Sequence, residues 1–382
     1  MSELRYPEPV TIFNEEVLNR MLAWAAEQGV SDVMLAPNDP VWMRQHGQWH
    51  PVIDRSCANS EISYVLDKIS RQPNASAMAA SGQDVDFGFE VPMGRGKRLR
   101  FRCNATGCRD RWASGVSVVM RTIPEHPPEV SYHGLPDEML EAFQPVYGLV
   151  LVTGPVGSGK TTLLFSVLRH IAETKSRHII TYEAPIEYDL ISLPDRMSPV
   201  VQTEIPRHLA SFESAPRNSL RRAGDIVLFG ESRDRETLKN MTIEAETGVA
   251  VYSTVHTNSV AETISRMVRE FPNDEREGMA ATLIAALRLI VHQRLVRTVD
   301  GNGRVPIREY LVVDDEVKDE LIRCSVSDLI PAVQKIMEQR GISIAIEAQR
   351  AFEAGKISER DCLMMQRSAK SSLTKKANGV DS

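Results

Sequence analysis

The sequence predicts an α/β protein built from two domains followed by a group of C-terminal helices. Its 382 residues, 42% of them hydrophobic, are enough to bury more than one ordinary core. Strand-like segments with alternating polarity fill the first part of the chain, whereas apolar strands alternate with amphipathic helices in the second part. A proline-rich stretch separates the two patterns and therefore marks the predicted domain boundary.

The first domain is predicted over residues 1–123 as an antiparallel sheet with helices on one face. Residues 14–29 place apolar side chains at helical spacing before a glycine that ends the helix. Short segments of alternating or apolar character follow and indicate strands. These strand segments are "DVMLAP", "PVWMRQHGQWHPV" with a turn at His46-Gly47, "DVDFGFEV", "RLRFRCN" and "VSVVMRTI".

The stretch "PEHPPEVSYHGLP" at 124–136 is predicted to be the linker between the domains. It contains four prolines and one glycine. Proline lacks the backbone donor that helices and sheets need, so this composition favours an extended connector.

The second domain is predicted over residues 137–315 as a mainly parallel sheet covered by helices on both faces. Its strands are "GLVLVTG", "RHIITYE", "DIVLFGE" and "VAVYSTVH", and its helices begin at Lys160, Arg235 and Val260. Residues 316–368 are predicted to be helical. The polar residues 369–382 are predicted to form a disordered tail.

Composition disfavours several classes of protein. The formal charge of −6 disfavours a protein that coats nucleic acid by bulk attraction. Five scattered cysteines are typical of reduced thiols in a cytoplasm, not of a disulfide framework or a zinc site. The apolar stretch at 279–291 is too short to span a membrane and contains Arg288, and the chain starts without a signal-like apolar region. We therefore expect neither secretion nor a transmembrane segment.

The motif G-x-x-x-x-G-K-[ST] occurs directly after an apolar strand and before a predicted helix, which is the context that a phosphate-binding loop requires. Glycines allow backbone N–H groups to face phosphate oxygens, while Lys160 reaches the β- and γ-phosphates and the Thr161 hydroxyl binds Mg²⁺. The sequence thus predicts ATP and Mg²⁺ as cofactors. The predicted binding residues are Gly154, Pro155, Gly157, Ser158, Gly159, Lys160, Thr161 and Thr162.

Acidic residues at two further strand ends are candidates for the chemistry. Glu231 ends the strand "DIVLFGE" at the edge of the sheet where ligands bind, so it can hold the Mg²⁺ hydration shell or orient water. Glu183 and Glu187 follow the strand "RHIITYE", but acidic residues are also common in solvated turns. Arg233 and Asp234 beside Glu231 fit a surface pair equally well.

His256 ends the strand "VAVYSTVH" and is a candidate donor to the γ-phosphate. A single histidine is also often an ordinary polar side chain with a satisfied hydrogen bond. Spacing alone leaves both interpretations of His256 open.

Four segments taken in order resemble the Walker A, Asp box, Walker B and His box of secretion ATPases. The segments are "GPVGSGKTT", "YEAPIE", "DIVLFGESRD" and "TGVAVYSTVHTNS". Further stretches, "EIPRHL" and "RFRCNATGC", resemble the PilT-like branch and within it the DotB/TraJ ATPases of type IVB (Dot/Icm-like) secretion and plasmid conjugation. The similarity covers nearly the whole chain. Ala184 departs from the aspartate usual in pilus retraction ATPases.

The resemblance implies an N-terminal PAS-like domain, a RecA-like P-loop core and a motor-type ATPase. It implies that Glu187 is the general base, Glu231 the Walker B glutamate that acts with Thr161 on Mg²⁺, and His256 a residue near the γ-phosphate. Lys160 keeps its phosphate role. The resemblance strengthens the prediction that Glu187 is a functional residue, but it does not strengthen that prediction for Glu183.

The resemblance also implies a homo-hexameric ring with nucleotide between a core and a neighbouring N-terminal domain, which requires cations in trans. Candidate arginines lie on the last strands of the first domain, where they equally fit a solvated face. The selected candidates are Arg102 and Arg121 among a group that also contains Arg100, Arg109 and Arg111.

The predicted function is coupling of ATP hydrolysis to domain motion that powers a type IVB secretion, conjugation or type IV pilus-like machine. The predicted partners are inner-membrane and cytoplasmic components of that apparatus, with the ATPase cytoplasmic and peripherally associated with the inner membrane. Direct nucleic-acid binding is not expected. A RecA-like nucleic-acid motor is the main alternative, and a small-molecule kinase or a nucleotide switch is a third.

Overall fold

Two units, each built on its own sheet, make up the computed structural model. The first unit contains residues 1–126 together with 184–189, and the second contains 127–183 and 190–382. The prediction of an α/β protein is therefore confirmed at the level of two sheets with helices. The structure describes residues 4–94, 98–111, 113–230, 234–301 and 303–374, with side chains described up to 367.

The first unit has a six-stranded antiparallel sheet in the order β3-β2-β1-β6-β5-β4. Its strands are β1 (Asp32–Leu35), β2 (Trp42–Gln45), β3 (Gln48–Pro51), β4 (Val85–Pro92), β5 (Arg98–Asp110) and β6 (Ala113–Ile123). Its helices are α1 (Glu15–Glu27), α2 (Asn59–Ile69) and α3 (Ala75–Ala80).

Local sequence explains these elements of the first unit. Asn14 caps α1 by accepting a hydrogen bond from the Val17 amide, and the helix buries its apolar face in the core. Alternate residues of β4 are buried, as the period of two in "DVDFGFEV" predicts. His46 and Gly47 both have positive φ and make the tight turn between β2 and β3.

The second unit has a seven-stranded sheet in the order β13-β12-β7-β11-β10-β8-β9. All neighbouring pairs are parallel except β12 with β13, which pair antiparallel at one edge. The strands are β7 (Gly148–Thr153), β8 (Ile179–Glu183), β9 (Val200–Glu204), β10 (Ile226–Phe229), β11 (Ala250–Val255), β12 (Leu287–Arg297) and β13 (Arg304–Val312).

The second unit combines fully buried strands with the two longest helices among the described residues, Lys160–Thr174 and Glu359–Thr374. Every residue of β7 and β11 is buried, which explains why these strands are continuous apolar runs instead of alternating ones. The helices are α4 (Asp137–Ala142), α5 (Lys160–Thr174), α6 (Ala215–Ser219), α7 (Arg235–Glu246), α8 (Val260–Val268), α9 (Arg276–Ala286), α10 (Asp315–Ile322), α11 (Leu329–Arg340), α12 (Ile344–Glu353) and α13 (Glu359–Thr374).

Several details differ from the sequence-based expectations. Strand β9 and the β12–β13 hairpin were not predicted, and residues 184–189 group with the first unit instead of the second. A short 3-10 turn, Val130–His133, lies inside the stretch predicted as a linker. Helix α13 reaches Thr374, so the predicted disordered tail overlaps a helix, and residues 375–382 lie outside the described residues.

None of the helices in the described part of the chain combines the length and the apolar character needed to span a bilayer.

Candidate active site

The register of the parallel sheet sets the position of the phosphate loop. Thr153, the last residue of β7, is flanked by Val255 of β11 and His292 of β12. The chain therefore leaves the carboxyl edge of the sheet between two neighbouring strands. This is the edge at which open α/β sheets bind their ligands.

Glycine is required at the first position of the loop. Gly154 has a φ of +142°, and a Cβ there would lie 2.3 Å from the main-chain oxygen of Gln293. Gly159, at the end of the loop, has a φ of +82° that other residues rarely adopt. The glycines of the motif are thus fixed by the close approach of β12 as well as by backbone conformation.

Lys160 begins helix α5 and is buried within the loop. Its Nζ donates hydrogen bonds to the carbonyl oxygens of Gly154 at 2.9 Å and Pro155 at 3.0 Å. Among the described residues no side chain caps the start of α5, and helix starts of this kind favour a bound anion. The buried Ser158 hydroxyl also has no hydrogen-bond partner among the described residues. An unpaired buried hydroxyl and an uncapped helix start both fit a bound phosphate group.

His256 lies beside the loop, because it follows β11, the neighbour of β7. Its Nδ1 is 3.3 Å from the carbonyl oxygen of Gly154, an acceptor, so this nitrogen carries the proton and donates. The structure thus brings His256 and Lys160 to the same carbonyl group. The role of His256 toward a γ-phosphate stays a prediction.

Glu183 is a buried residue at the end of β8. Its Oε1 accepts hydrogen bonds from the hydroxyl of Thr181 and from the amide of Gln202 at 3.0 Å. The side chain is therefore engaged within the sheet, as expected for a structural carboxylate.

Glu187 belongs to the first unit together with the rest of segment 184–189. Its Oε1 accepts a hydrogen bond from Arg102 at 2.9 Å. The buried Arg100 donates to the backbone oxygens of Glu187 and Ile186, both at 3.0 Å. Arg98 forms an ion pair with Asp189. Three arginines of β5 thus hold the segment that carries the predicted general base.

The other predicted charged residues have diverse positions. Arg121 pairs with Asp32 across β6 and β1 at 2.8 Å. Asp234 caps α7 by accepting a hydrogen bond from the Thr237 amide at 2.7 Å, which gives it a structural role. Glu231, predicted as a catalytic and metal-binding residue, and its neighbour Arg233 lie outside the described residues.

The residues of the loop fit a nucleotide and its metal ion as far as they are described. Thr161 is the second residue of α5 and presents the hydroxyl type that P-loops use toward Mg²⁺. Within the described ranges no cluster of three or more histidine, cysteine or acidic residues could hold a metal ion by itself.

Sequence reasoning missed two polar residues of the β12–β13 hairpin. Gln293 donates from Nε2 to the carbonyl oxygen of Ser158 at 2.7 Å, and its Oε1 accepts from Arg308 at 2.7 Å. The signal was present in "VHQRLVR", where polar residues interrupt a strand that is otherwise apolar. Without the hairpin, nothing connected these residues to the phosphate loop.

A phosphate-binding loop between a buried parallel strand and a helix, with a buried lysine at the helix start, is typical of nucleotide-hydrolysing proteins. The sequence matches the family described as type II/IV secretion system protein over residues 11–377, so the chain belongs to this family. It is similar to the type IV pilus retraction ATPase PilT of Pseudomonas aeruginosa, with 33% identity over 321 residues, covering 83% of this chain and 88% of that protein. The chain is an ATPase of this family.

Solved structures agree with this assignment. The chain is similar to the ATPase DotB of Legionella pneumophila, with a TM-score of 0.90, 37% identity, and coverage of 96% of this chain and 100% of that chain. It is also similar to the pilus retraction motor PilT with bound ADP, with a TM-score of 0.78, 32% identity, and coverage of 91% and 96%. The resemblance inferred from the motifs is confirmed.

Proposed function

We propose that this chain is a motor ATPase that assembles as a homo-hexameric ring and powers a type IVB secretion, conjugation or type IV pilus-like machine. In this proposal a PAS-like N-terminal domain and a RecA-like core change their arrangement as ATP is hydrolysed with Mg²⁺. The similarity to DotB over 96% of the chain is the observation that carries the proposal. The partners are inner-membrane and cytoplasmic components of the apparatus, and the ATPase is cytoplasmic and peripheral to the inner membrane.

The proposed chemistry assigns one task to each predicted catalytic or binding residue. Lys160 and the loop amides bind the phosphates, and His256 contacts the γ-phosphate. Thr161 and Glu231 hold Mg²⁺, which spreads phosphate charge when bound. Glu187 orients and deprotonates the attacking water. Most of the rate enhancement then comes from positioning and charge stabilisation.

Arg102 and Arg121 are proposed to act on nucleotide bound to a neighbouring subunit. Both side chains reach solvent, and both are paired with carboxylates of their own unit, Glu187 and Asp32. The Arg102–Glu187 pair is partly exposed, and such pairs contribute little to stability, so a phosphate can replace this carboxylate at low cost. Asp32 is buried, and without Arg121 it would keep the hydrogen bond from the hydroxyl of Ser31. Breaking the Arg102 pair also removes one hydrogen bond from the carboxylate of Glu187.

The test is ATP turnover measured against protein concentration, with the oligomer followed by native mass spectrometry. We expect turnover per subunit to rise as hexamer forms and to fall by at least about a hundredfold in Glu187→Gln, since loss of a general base typically costs this much. Glu231→Gln should also lose most of its turnover, because it removes a charged ligand of the Mg²⁺ that spreads the phosphate charge. Glu270→Gln is the matched control, because Glu270 is paired with Arg266 on α8 outside the loop. Full turnover by a single subunit would refute the ring.

The same ATP turnover measurement is repeated with single-stranded DNA and with membranes that contain the apparatus. Strong stimulation by single-stranded DNA, with none by membranes containing the secretion apparatus, would replace the proposed role with that of a nucleic-acid motor. We expect the opposite result, with co-sedimentation of the ATPase only with membranes that contain the apparatus.

A further inference from the structure

A chain of buried polar groups connects the phosphate loop to the hairpin at the edge of the sheet. It starts at the carbonyl oxygen of Ser158 and passes through Gln293 to Arg308, which is the cross-strand partner of Gln293 between β12 and β13. Gln293 is 1% exposed and Arg308 is 7% exposed. Buried hydrogen bonds of this kind hold their groups in fixed positions because breaking one leaves an unpaired polar atom.

The same series of buried polar groups also contacts helix α5, which begins at the phosphate loop. Arg308 donates to the backbone oxygen of His133 at 2.9 Å and to its Nδ1 at 3.3 Å. Because Nδ1 accepts, the proton is on Nε2, which lies 2.9 Å from the hydroxyl of Ser166 on α5. Burial and the nearby Arg308 charge lower the pKa of His133 to about 4, so the ring is neutral at physiological pH. The loop and α5 are therefore connected to one guanidinium group.

Arg308 also fixes which way the amide of Gln293 points. The guanidinium has only donors, so it requires the oxygen of the amide on its own side. The NH₂ group must then face the carbonyl oxygen of Ser158. A flipped amide would place two donors against each other at one end and two acceptors at the other.

The arrangement carries a cost in stability that a purely structural role does not explain. Arg308 forms no direct ion pair with any described carboxylate. Burial lowers its pKa to about 10, and the charge of Glu347 opposes this shift only in part. A buried charge that is only partly compensated is unfavourable, and replacing such a group by apolar residues of similar size is often neutral or stabilising. A phosphate group in the loop, two hydrogen bonds away, is an anion that would offset this charge.

We propose that Gln293 and Arg308 are positioning residues for the phosphate loop: Arg308 orients the Gln293 amide, and Gln293 holds the loop in the shape that accepts the β-phosphate. The inference rests on the proposed use of this loop for ATP. It predicts that the pair determines affinity for nucleotide without touching it.

Titration of the full-length protein with ADP tests the inference through Gln293→Glu. This variant keeps the size of the side chain and the acceptor facing Arg308, but it places a carboxylate against the oxygen of Ser158. We expect the Kd for ADP to rise by about tenfold or more, the effect of leaving one buried acceptor unpaired. The KM for ATP should rise similarly, while kcat extrapolated to saturating ATP changes by less than about threefold.

Tyr252→Phe is the matched control, because it also deletes one buried hydrogen bond of this sheet, from the tyrosine hydroxyl to the backbone oxygen of Phe143. It should lower the Tm to a similar extent and leave the Kd for ADP unchanged. Equal Kd values for Gln293→Glu and Tyr252→Phe would overturn the inference.

Two further variants keep the test decisive if Gln293→Glu fails to fold. Gln293→Met removes both hydrogen bonds, and Arg308→Lys keeps the charge but cannot contact Gln293 and His133 together. Either variant, once folded, should weaken ADP binding, and wild-type affinity in a folded variant would again refute the inference. Absence of ADP binding by the wild-type protein would instead refute the proposed function of the loop, so the two failures are distinguishable.

Discussion

Lys160 makes two hydrogen bonds to carbonyl groups of its own loop, so its ammonium group is already directed into the loop. Lys160→Ala removes this cation and its hydrogen bonds to phosphate, each worth about 1.5–3 kcal/mol when a charge is involved. We expect the Kd for ADP to rise by at least about tenfold. Calorimetric titration measures this change, and a Lys160→Ala variant that binds ADP normally would contradict the assignment of the loop.

Glu244 on α7 is a buried carboxyl group whose titration should be visible in the stability of the protein. Burial raises its pKa from 4.5 to about 7, and the hydrogen bond from Ser219 opposes this rise only in part. A pKa that is raised on folding contributes stability that is fully present below pH 4.5 and is lost as the pH rises to about 7.

Glu244→Gln should remove this pH dependence. The difference in free energy of unfolding between Glu244→Gln and wild type should grow in favour of the variant by up to about 1.4 kcal/mol per pH unit across this window. Denaturant titrations at pH 5, 6 and 7 would measure it. Parallel stability profiles for the two proteins would mean that Glu244 does not titrate in this range.

At the scale of elements, Asp234 caps the start of helix α7. Asp234 accepts hydrogen bonds from the amide and the hydroxyl of Thr237, both at 2.7 Å. Asp234→Ala should therefore lower the free energy of unfolding by about 1 kcal/mol, and Asp234→Ser should restore most of it. We expect kcat to change little in both variants. A large loss of kcat in a fully stable Asp234→Ser variant would show that Asp234 takes part in the reaction.

Segment 184–189 depends on Arg100, whose buried fork binds two of its carbonyl groups. Lysine cannot reproduce this fork, so Arg100→Lys should loosen the segment and accelerate hydrogen exchange of the Asp189 amide, which is bonded to Glu125, by about tenfold. If Glu187 is the general base, kcat should fall while the Kd for ADP stays constant. The control is Arg109→Lys, an exposed arginine of the same strand.

The elements with a strong local signal are those that the sequence predicts well. Strand β7, the loop and the start of α5 follow from one apolar run and one motif, because period, glycine placement and helix start agree there. Strand β9 was missed because "VVQTE" is short and lacks a clear period. Segment 184–189 packs in the first unit because of arginines that are eighty or more positions away in the sequence. Local sequence rules do not predict such a contact.

The same limit applies to the candidate site. Lys160 was identifiable from its motif, whereas Gln293 and Arg308 become neighbours of the loop only after β12 pairs with β7 on one side and β13 on the other. Their polarity within an apolar strand was visible in the sequence. Their partner was not, because sheet order is a property of the whole chain.

At the scale of the whole molecule, each unit has its own hydrophobic core, and the phosphate loop belongs to the second. ADP at a hundred times its Kd should add about 2.7 kcal/mol to the stability of the second unit. Hydrogen exchange of the buried β7 and β11 amides should therefore slow with ADP. The Lys160→Ala variant should show no such protection, and protection that persists in it would mean that ADP binds elsewhere.

The backbone passes from one unit to the other three times, after residues 126, 183 and 189. A chimera in which only residues 1–126 are replaced by those of a relative would keep the native segment 184–189. That segment would then contact arginines of the other protein, with which it did not evolve. Working chimeras should therefore transplant residues 1–126 and 184–189 as a pair.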